Sequence, residues 1–296
     1  MTQENRVAYV FPGQGSQFVG MGRSLQDIHP EAKQTFEEAD DLLQRRISAL
    51  CFEGPKAELD QTVNTQPAIL VASIAAYRIL KSRGRIPDVV AGHSLGEYSA
   101  LVAAESLTFA QALDLVGKRA QFMHEAGKEN PGGMTAIIGL PLEKVEEICK
   151  TSGAEIANIN SPNQIVIAGK NDKVLYSEGL VKGLNGKVIR LQVSIAGHCS
   201  LMQPARENLE IILQNTDISD PKIPFVANVT GNFVEYGHEV RRFLGEQLTQ
   251  SVQWLDSVRT IIDRGSVRRF VEVGPGKVLS GLINKIDGSV AVEQFS

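Results

Sequence analysis

The chain has 296 residues, 43% of them hydrophobic and 22% charged, with 27 Gly and 12 Pro, so it is not disordered, collagen-like or a coiled coil. Its 30 basic and 34 acidic side chains leave a net charge of −4 and no basic block, which argues against nucleic acid as its main partner. No apolar run reaches the ~18 residues that span a bilayer, no apolar signal core is present at the N-terminus, and Cys51, Cys149 and Cys199 show neither disulfide nor zinc spacing. A soluble, cytoplasmic protein with reduced thiols, no membrane contact and no metal is expected.

In chain order, 7–11 is a short apolar run stopped by Pro12-Gly13, which predicts a buried strand and a turn. Helical spacing follows over 31–43. The segment 68–80 is apolar nearly all round and predicts a buried helix. A second strand is expected over 87–91, ended by Gly92, and helices over 95–104 and 109–126. This alternation argues for an α/β sheet of mostly parallel strands. The cluster Asn130-Pro131-Gly132-Gly133 then breaks the pattern. After it come a strand (134–138), a helix (142–152), a strand (154–159), a Ser161-Pro162-Asn163 turn, a strand (164–168), a helix (172–184) and a strand (187–191). That β-α-β-β-α-β order is a ferredoxin-like unit. From Cys199 a helix (201–213), a strand (223–226), a helix (254–263), a strand (269–273) and a helix (277–285) resume the first pattern.

The sharpest chemical signal is Gly92-His93-Ser94-Leu95-Gly96, a G-x-S-x-G between a predicted strand and a predicted helix. That context is a nucleophile elbow: a tight turn that projects the Ser94 hydroxyl above the sheet, at the positive end of a helix. The fold class expected is therefore α/β, with an α/β-hydrolase-like large domain over 1–129 and 198–296 and an inserted ferredoxin-like α+β small domain over 130–197. A serine nucleophile needs a base. Of the five histidines, His93 lies inside the elbow and is directed away from the serine, and His29, His124 and His238 lie on helical or loop stretches. His198, where the insert ends, is modestly favoured by position alone.

The loop Phe11-Pro12-Gly13-Gln14-Gly15-Ser16-Gln17 is not a dinucleotide loop, because Phe18 stands where the third glycine belongs. Gly274-Pro275-Gly276-Lys277 lacks the spacing and the Ser/Thr of a phosphate loop. No nucleotide cofactor is expected. The first loop is better suited to present a backbone N–H to an oxyanion, beside the N–H of Leu95.

Five motifs occur in one order: 11–17; Gly92-His93-Ser94-Leu95-Gly96-Glu97-Tyr98; Lys118-Arg119-Ala120-Gln121-Phe122-Met123; Gly197-His198-Cys199-Ser200-Leu201-Met202; and Glu272-Val273-Gly274-Pro275-Gly276-Lys277-Val278-Leu279. Together they closely resemble the malonyl-CoA:acyl carrier protein transacylase family of bacterial fatty acid synthesis, with the related acyltransferase domains of polyketide synthases, over essentially the whole chain. The resemblance implies transfer of a malonyl group from malonyl-CoA to the phosphopantetheine thiol of a holo acyl carrier protein, without a cofactor. It implies Ser94 as nucleophile, His198 as general base and the backbone carbonyl of Gln247 as the group that orients His198. Arg119 matches the residue that binds the malonyl carboxylate, for which a guanidinium fork is suited. The N–H groups of Gln14 and Leu95 match the oxyanion hole, and Gln66 and Asn160 lie in matching motifs near the cleft. Where relatives usually have Ser or Phe before the histidine, this chain has Gly197, which either widens the acyl pocket or serves the backbone.

Carrier proteins are typically acidic, so Lys182, Lys187, Arg190, Arg45, Arg46, Arg268 and Arg269 are candidate docking residues. A monomer is expected. Two other readings stay open on the residues: a serine hydrolase such as a thioesterase, and a carrier-docking scaffold without catalysis.

Overall fold

The computed structural model describes residues 6–193 and 195–296. Ten strands are β1 (Val7–Phe11), β2 (Val89–Gly92), β3 (Gly132–Ile138), β4 (Glu155–Ser161), β5 (Gln164–Lys170), β6 (Lys187–Arg190), β7 (Phe225–Ala227), β8 (Asn232–Val234), β9 (Arg269–Val273) and β10 (Ala291–Phe295). They form a six-stranded sheet, β10-β9-β1-β2-β7-β8, and a four-stranded sheet, β4-β5-β3-β6.

The larger sheet is parallel except for β8, which pairs antiparallel with β7. Its central strands are apolar without a break because helices cover both faces. On β1, Tyr9 and Phe11 point into a core with helices Thr62–Ser82 and Phe109–Glu129, while Ala8 and Val10 point into a second core with Trp254–Asp263 and Val278–Ile286. The period-2 alternation of one strand thus feeds two layers.

Helix Thr62–Ser82 starts ahead of the expected 68, and its first turns carry Thr62, Asn64, Thr65 and Gln66, all buried. Apolar spacing could not mark them, because their polar ends face the interior. Pro67 lies inside this helix and has no N–H for the Val63 carbonyl. That carbonyl accepts from Arg45 Nη2 at 3.3 Å instead, and Arg45 Nη1 donates to Asn64 Oδ1 at 2.5 Å. Arg45 is exposed and is tied to the start of this helix by those two bonds. Arg190 and Arg269 are paired with Glu178 and Glu293, leaving Lys182 and Lys187 among the exposed cations on that list.

The smaller sheet is antiparallel throughout and lies wholly between Gly132 and Arg190. Ile137, Ile165 and Ile167 pack on helices Leu142–Ser152 and Asn171–Gly183. Met134, Ala136 and Val166 face the other way, with Ala196 and Cys199. Edge strand β4 is tied to the rest of the chain by Ile159 N–H to Val252 O (2.9 Å) and Val252 N–H to Ala157 O (2.9 Å). Those two bonds hold one wall of the cleft against the other.

Helices Leu142–Ser152 and Trp254–Asp263 have the bounds their spacing predicts. The helix expected over 201–213 begins as a 3-10 turn, Ser200–Met202, and turns α-helical at Gln203, where Pro204 sits in the first turn. Strands β8 and β10 and helices Arg23–Ile28, Ile47–Glu53, Lys56–Leu59 and Gly237–Glu246 are not expected from the sequence. Strand β10 is an exposed edge with no apolar run to betray it, and the short helices are stabilised by packing rather than propensity. Among the described residues no helix is long and apolar enough to cross a membrane.

Candidate active site

The elbow joins β2 to helix Gly96–Ala103. Close approach explains its glycines: a Cβ at Gly92 would lie 1.9 Å from the Gly96 carbonyl carbon, and one at Gly96 would lie 2.0 Å from Phe11 O. Ser94 between them has φ 52°, a left-handed conformation that costs a residue with a Cβ. The turn lifts Ser94 out of both the strand ladder and the helix, and its hydroxyl faces a cavity of about 220 Å³ between the two sheets.

His198 Nε2 lies 2.8 Å from Ser94 Oγ, and His198 Nδ1 lies 2.7 Å from the Gln247 carbonyl oxygen. A carbonyl can only accept, so Nδ1 carries the hydrogen and Nε2 is free to accept the Ser94 proton. Burial, with the Arg119 charge nearby, pushes the imidazole down to about 3, so it is neutral near pH 7 and available as a base.

Arg119 is 1% exposed, although a mid-helix arginine ordinarily reaches solvent. Its Nη1 donates to Gln66 Oε1 at 2.5 Å, and its Nη2 to Ser94 Oγ (3.0 Å) and Gln247 Oε1 (2.9 Å). These partners are neutral oxygens, and Nε has no partner among the described residues. A buried cation whose hydrogen-bond partners are all neutral, on the wall of a cavity, has capacity for an anion. Gln66 is itself held, Nε2 donating to Thr62 Oγ1 at 3.0 Å, and Thr62 Oγ1 donates to Gln14 Oε1 at 2.9 Å.

The N–H groups of Gln14 and Leu95 make no hydrogen bond among the described residues, and both residues line the same cavity as Ser94. His93 bonds Asn160 Oδ1 through Nε2 (2.9 Å) and packs edge-on against Trp254, so it is not the partner of Ser94. Asn160, on β4, thereby links the smaller sheet to the elbow. Gly197 lines the cavity with an ordinary φ, and among the described residues a Cβ there would meet only Met123 Cε, at 3.6 Å. Its backbone does not need glycine, so what glycine supplies is room.

Gln247 does more than its carbonyl suggests. Its side-chain Nε2 donates to Ser94 O (3.0 Å) and to Glu97 Oε2, while Oε1 takes Arg119. Two residues with no assigned role complete the set. Glu97 is fully buried, and burial pushes its carboxyl up to about 8 against the weaker pull of N–H donors from Asn228 and Gln247 and of the Arg119 charge. Asn228 Oδ1 accepts from Ser94 N–H at 2.6 Å. Glu97 had a sequence signal: a lone acid on Gly96–Ala103, a helix with no polar face to put it on. Asn228 had none. Among the described residues no cluster of His, Cys, Asp or Glu could hold a metal.

The acyl transferase domain family matches residues 8–287 of the chain. The malonyl CoA-acyl carrier protein transacylase of Bacillus subtilis (strain 168) is 43% identical over 289 residues, which cover 96% of this chain and 91% of the relative. The solved structure of the malonyl CoA-acyl carrier protein transacylase from Coxiella burnetii superposes with a TM-score of 0.96 at 38% identity, covering 100% of this chain and 95% of the other. A malonyl-transacylase solved in complex with a type II PKS acyl-carrier protein superposes with a TM-score of 0.95 at 40% identity, covering 98% and 96%.

Proposed function

The chain belongs to the acyl transferase family, and from that premise we propose that it moves a malonyl group from malonyl-CoA to the phosphopantetheine thiol of an acyl carrier protein, through an ester on Ser94. The observation that carries this reading is the buried Arg119, which has only neutral oxygens for partners beside the hydroxyl of Ser94. A malonyl thioester brings a carboxylate to that cation; a neutral acyl group does not. The carrier as second substrate is supported by the 40% identical transacylase that was solved with one.

In the first half-reaction Ser94 Oγ attacks the thioester carbonyl carbon and its proton passes to His198 Nε2. The tetrahedral oxyanion faces the N–H groups of Leu95 and Gln14. Collapse expels CoA, whose sulfur takes the proton back from His198. In the second, the carrier thiol gives its proton to His198, attacks the malonyl-Ser94 ester, and Ser94 Oγ leaves with that proton. This is a ping-pong scheme with a covalent intermediate. The α/β-hydrolase-like reading of 1–129 with 198–296 is supported by the elbow at the end of β2. The ferredoxin-like reading of 130–197 is supported by the β4-β5-β3-β6 order and the antiparallel pairing of its strands. The exposed Lys182 and Lys187 are the docking residues we favour for an acidic carrier.

Intact-mass analysis tests the function. With malonyl-CoA alone the protein should gain one malonyl group, and added holo carrier should remove it and appear malonylated. Release of free malonate with the carrier untouched would make the protein a hydrolase.

Arg119→Ala should weaken malonyl loading far more than acetyl loading, since only malonyl pairs with the guanidinium. A hydrogen-bonded charged contact contributes roughly 1.5–3 kcal/mol. Loading kcat/KM with the two CoA esters measures it, and equal losses would make Arg119 structural.

The room at Gly197 leads to a selectivity prediction. Methylmalonyl-CoA should load measurably, with malonyl-CoA preferred, and Gly197→Phe should suppress the branched donor selectively. A group added to a pocket changes discrimination by ~1–3 kcal/mol, so the ratio shifts without inverting. Competition between the two donors measures this; an unchanged ratio in the variant removes Gly197 from selectivity.

A further inference from the structure

We propose that Glu97 is a positioning residue for acyl transfer: one buried carboxyl group holds, through Asn228 and Gln247, both ends of the Ser94 peptide unit and the carbonyl that orients His198. The inference rests on the reading of Ser94 as nucleophile.

At φ 52° the serine sits where its backbone would relax if it were not held. Its N–H donates to Asn228 Oδ1 (2.6 Å), and Asn228 Nδ2 donates to Gly92 O (2.7 Å), so a single amide bridges the elbow in place of the strand neighbour that the turn removes. Its carbonyl oxygen accepts from the Glu97 backbone N–H (3.0 Å) and from Gln247 Nε2 (3.0 Å). Every backbone polar group of the nucleophile therefore ends on Glu97, Asn228 or Gln247.

Glu97 joins the other two. Its Oε1 accepts from the Asn228 backbone N–H at 2.5 Å and its Oε2 from Gln247 Nε2. An amide side chain can in principle sit either way round. Here Gln247 lies between the Glu97 carboxyl and the Arg119 cation, its nitrogen toward Glu97 and its oxygen toward Arg119 Nη2. A flip would set NH2 against the guanidinium, which has no acceptor, and give up the bond that Gln247 Nε2 makes to Glu97 Oε2. Glu97 and Arg119 thus together set the orientation of Gln247, whose backbone carbonyl takes the Nδ1 hydrogen of His198 at 2.7 Å. The nucleophile and the base are aligned from one buried point, and no part of Glu97 reaches the cavity lining.

The test is Glu97→Gln, of equal size but with an NH2 that faces one of the two donors. Misplacement of a reacting group costs on the order of 10²-fold. The kcat for malonyl-enzyme formation should fall by about that factor, with KM for malonyl-CoA nearly unchanged and the downfield His198 Nδ1–H proton resonance shifted. A purely structural role would lower the unfolding midpoint and leave kcat per folded molecule and the resonance in place; that result overturns the proposal. If Glu97→Gln does not fold, Asn228→Ala carries the test, since it removes only the bridge across the elbow. A folded Asn228→Ala that loads at the wild-type rate overturns the proposal as well. Ser94→Ala separates the two readings. Loading by Ser94→Ala defeats the nucleophile assignment, whereas a dead Ser94→Ala beside a fully active Glu97→Gln defeats only the positioning role.

Discussion

Ser94→Ala is expected to abolish covalent loading outright. Mass spectrometry of the wild-type protein mixed with malonyl-CoA should show one added malonyl group, and the variant none. The expectation follows from three observations: the hydroxyl stands on a left-handed turn that frees it from both flanking elements, it lies 2.8 Å from a neutral imidazole nitrogen, and it faces a cavity. The variant should fold, because Asn228 and Gln247 bind the Ser94 backbone rather than its Oγ. Loading by a folded Ser94→Ala protein would require a different nucleophile.

His198→Ala should slow both half-reactions by roughly 10²–10⁴-fold, the usual contribution of a positioned general base. Stopped-flow loading and transfer to the carrier would each report it, and loss of only one half-reaction would mean that the two thiol steps use different bases. The same pair of proteins yields a stability test. The folded-state imidazole is pushed down to about 3 from 6.5. Between those values the unfolded chain binds the proton and the folded protein does not, so the neutral buried His198 loses stability as pH falls below 6.5. Denaturant unfolding of wild type and variant at pH 7.5 and pH 5 should show the wild type losing on the order of 2 kcal/mol relative to the variant. A difference independent of pH would place the His198 proton affinity near its ordinary value.

Of the fold and site described above, the amino-acid sequence by itself determined what is written in short-range pattern. The apolar run of β1, the spacing of Leu142–Ser152 and Trp254–Asp263, and the strand, turn and helix around Gly92-His93-Ser94-Leu95-Gly96 could all be read from neighbouring residues, because the face a side chain occupies repeats with the period of its own element. Ser94 was legible for that reason. What surrounds it was legible through the resemblance carried by the five ordered motifs, not from local pattern. His198 reaches Ser94 across 104 positions and Gln247 reaches it across 153, and no local period encodes such a meeting. Arg119 reads locally as a surface arginine; it is buried because Gln66, Gln247 and Ser94, from three different parts of the chain, supply oxygens that offset its desolvation. Sequence left Gly197 as either a spacer or a backbone requirement, and only the tertiary structure, with its ordinary φ and, among the described residues, only Met123 Cε within 4 Å of an added Cβ, decided for space. Glu97 and Asn228 show the same division. A polar group's burial can be suspected from its own helix, but which donors satisfy it depends on where the rest of the chain returns, and that is fixed by packing of the whole core rather than by any segment of it.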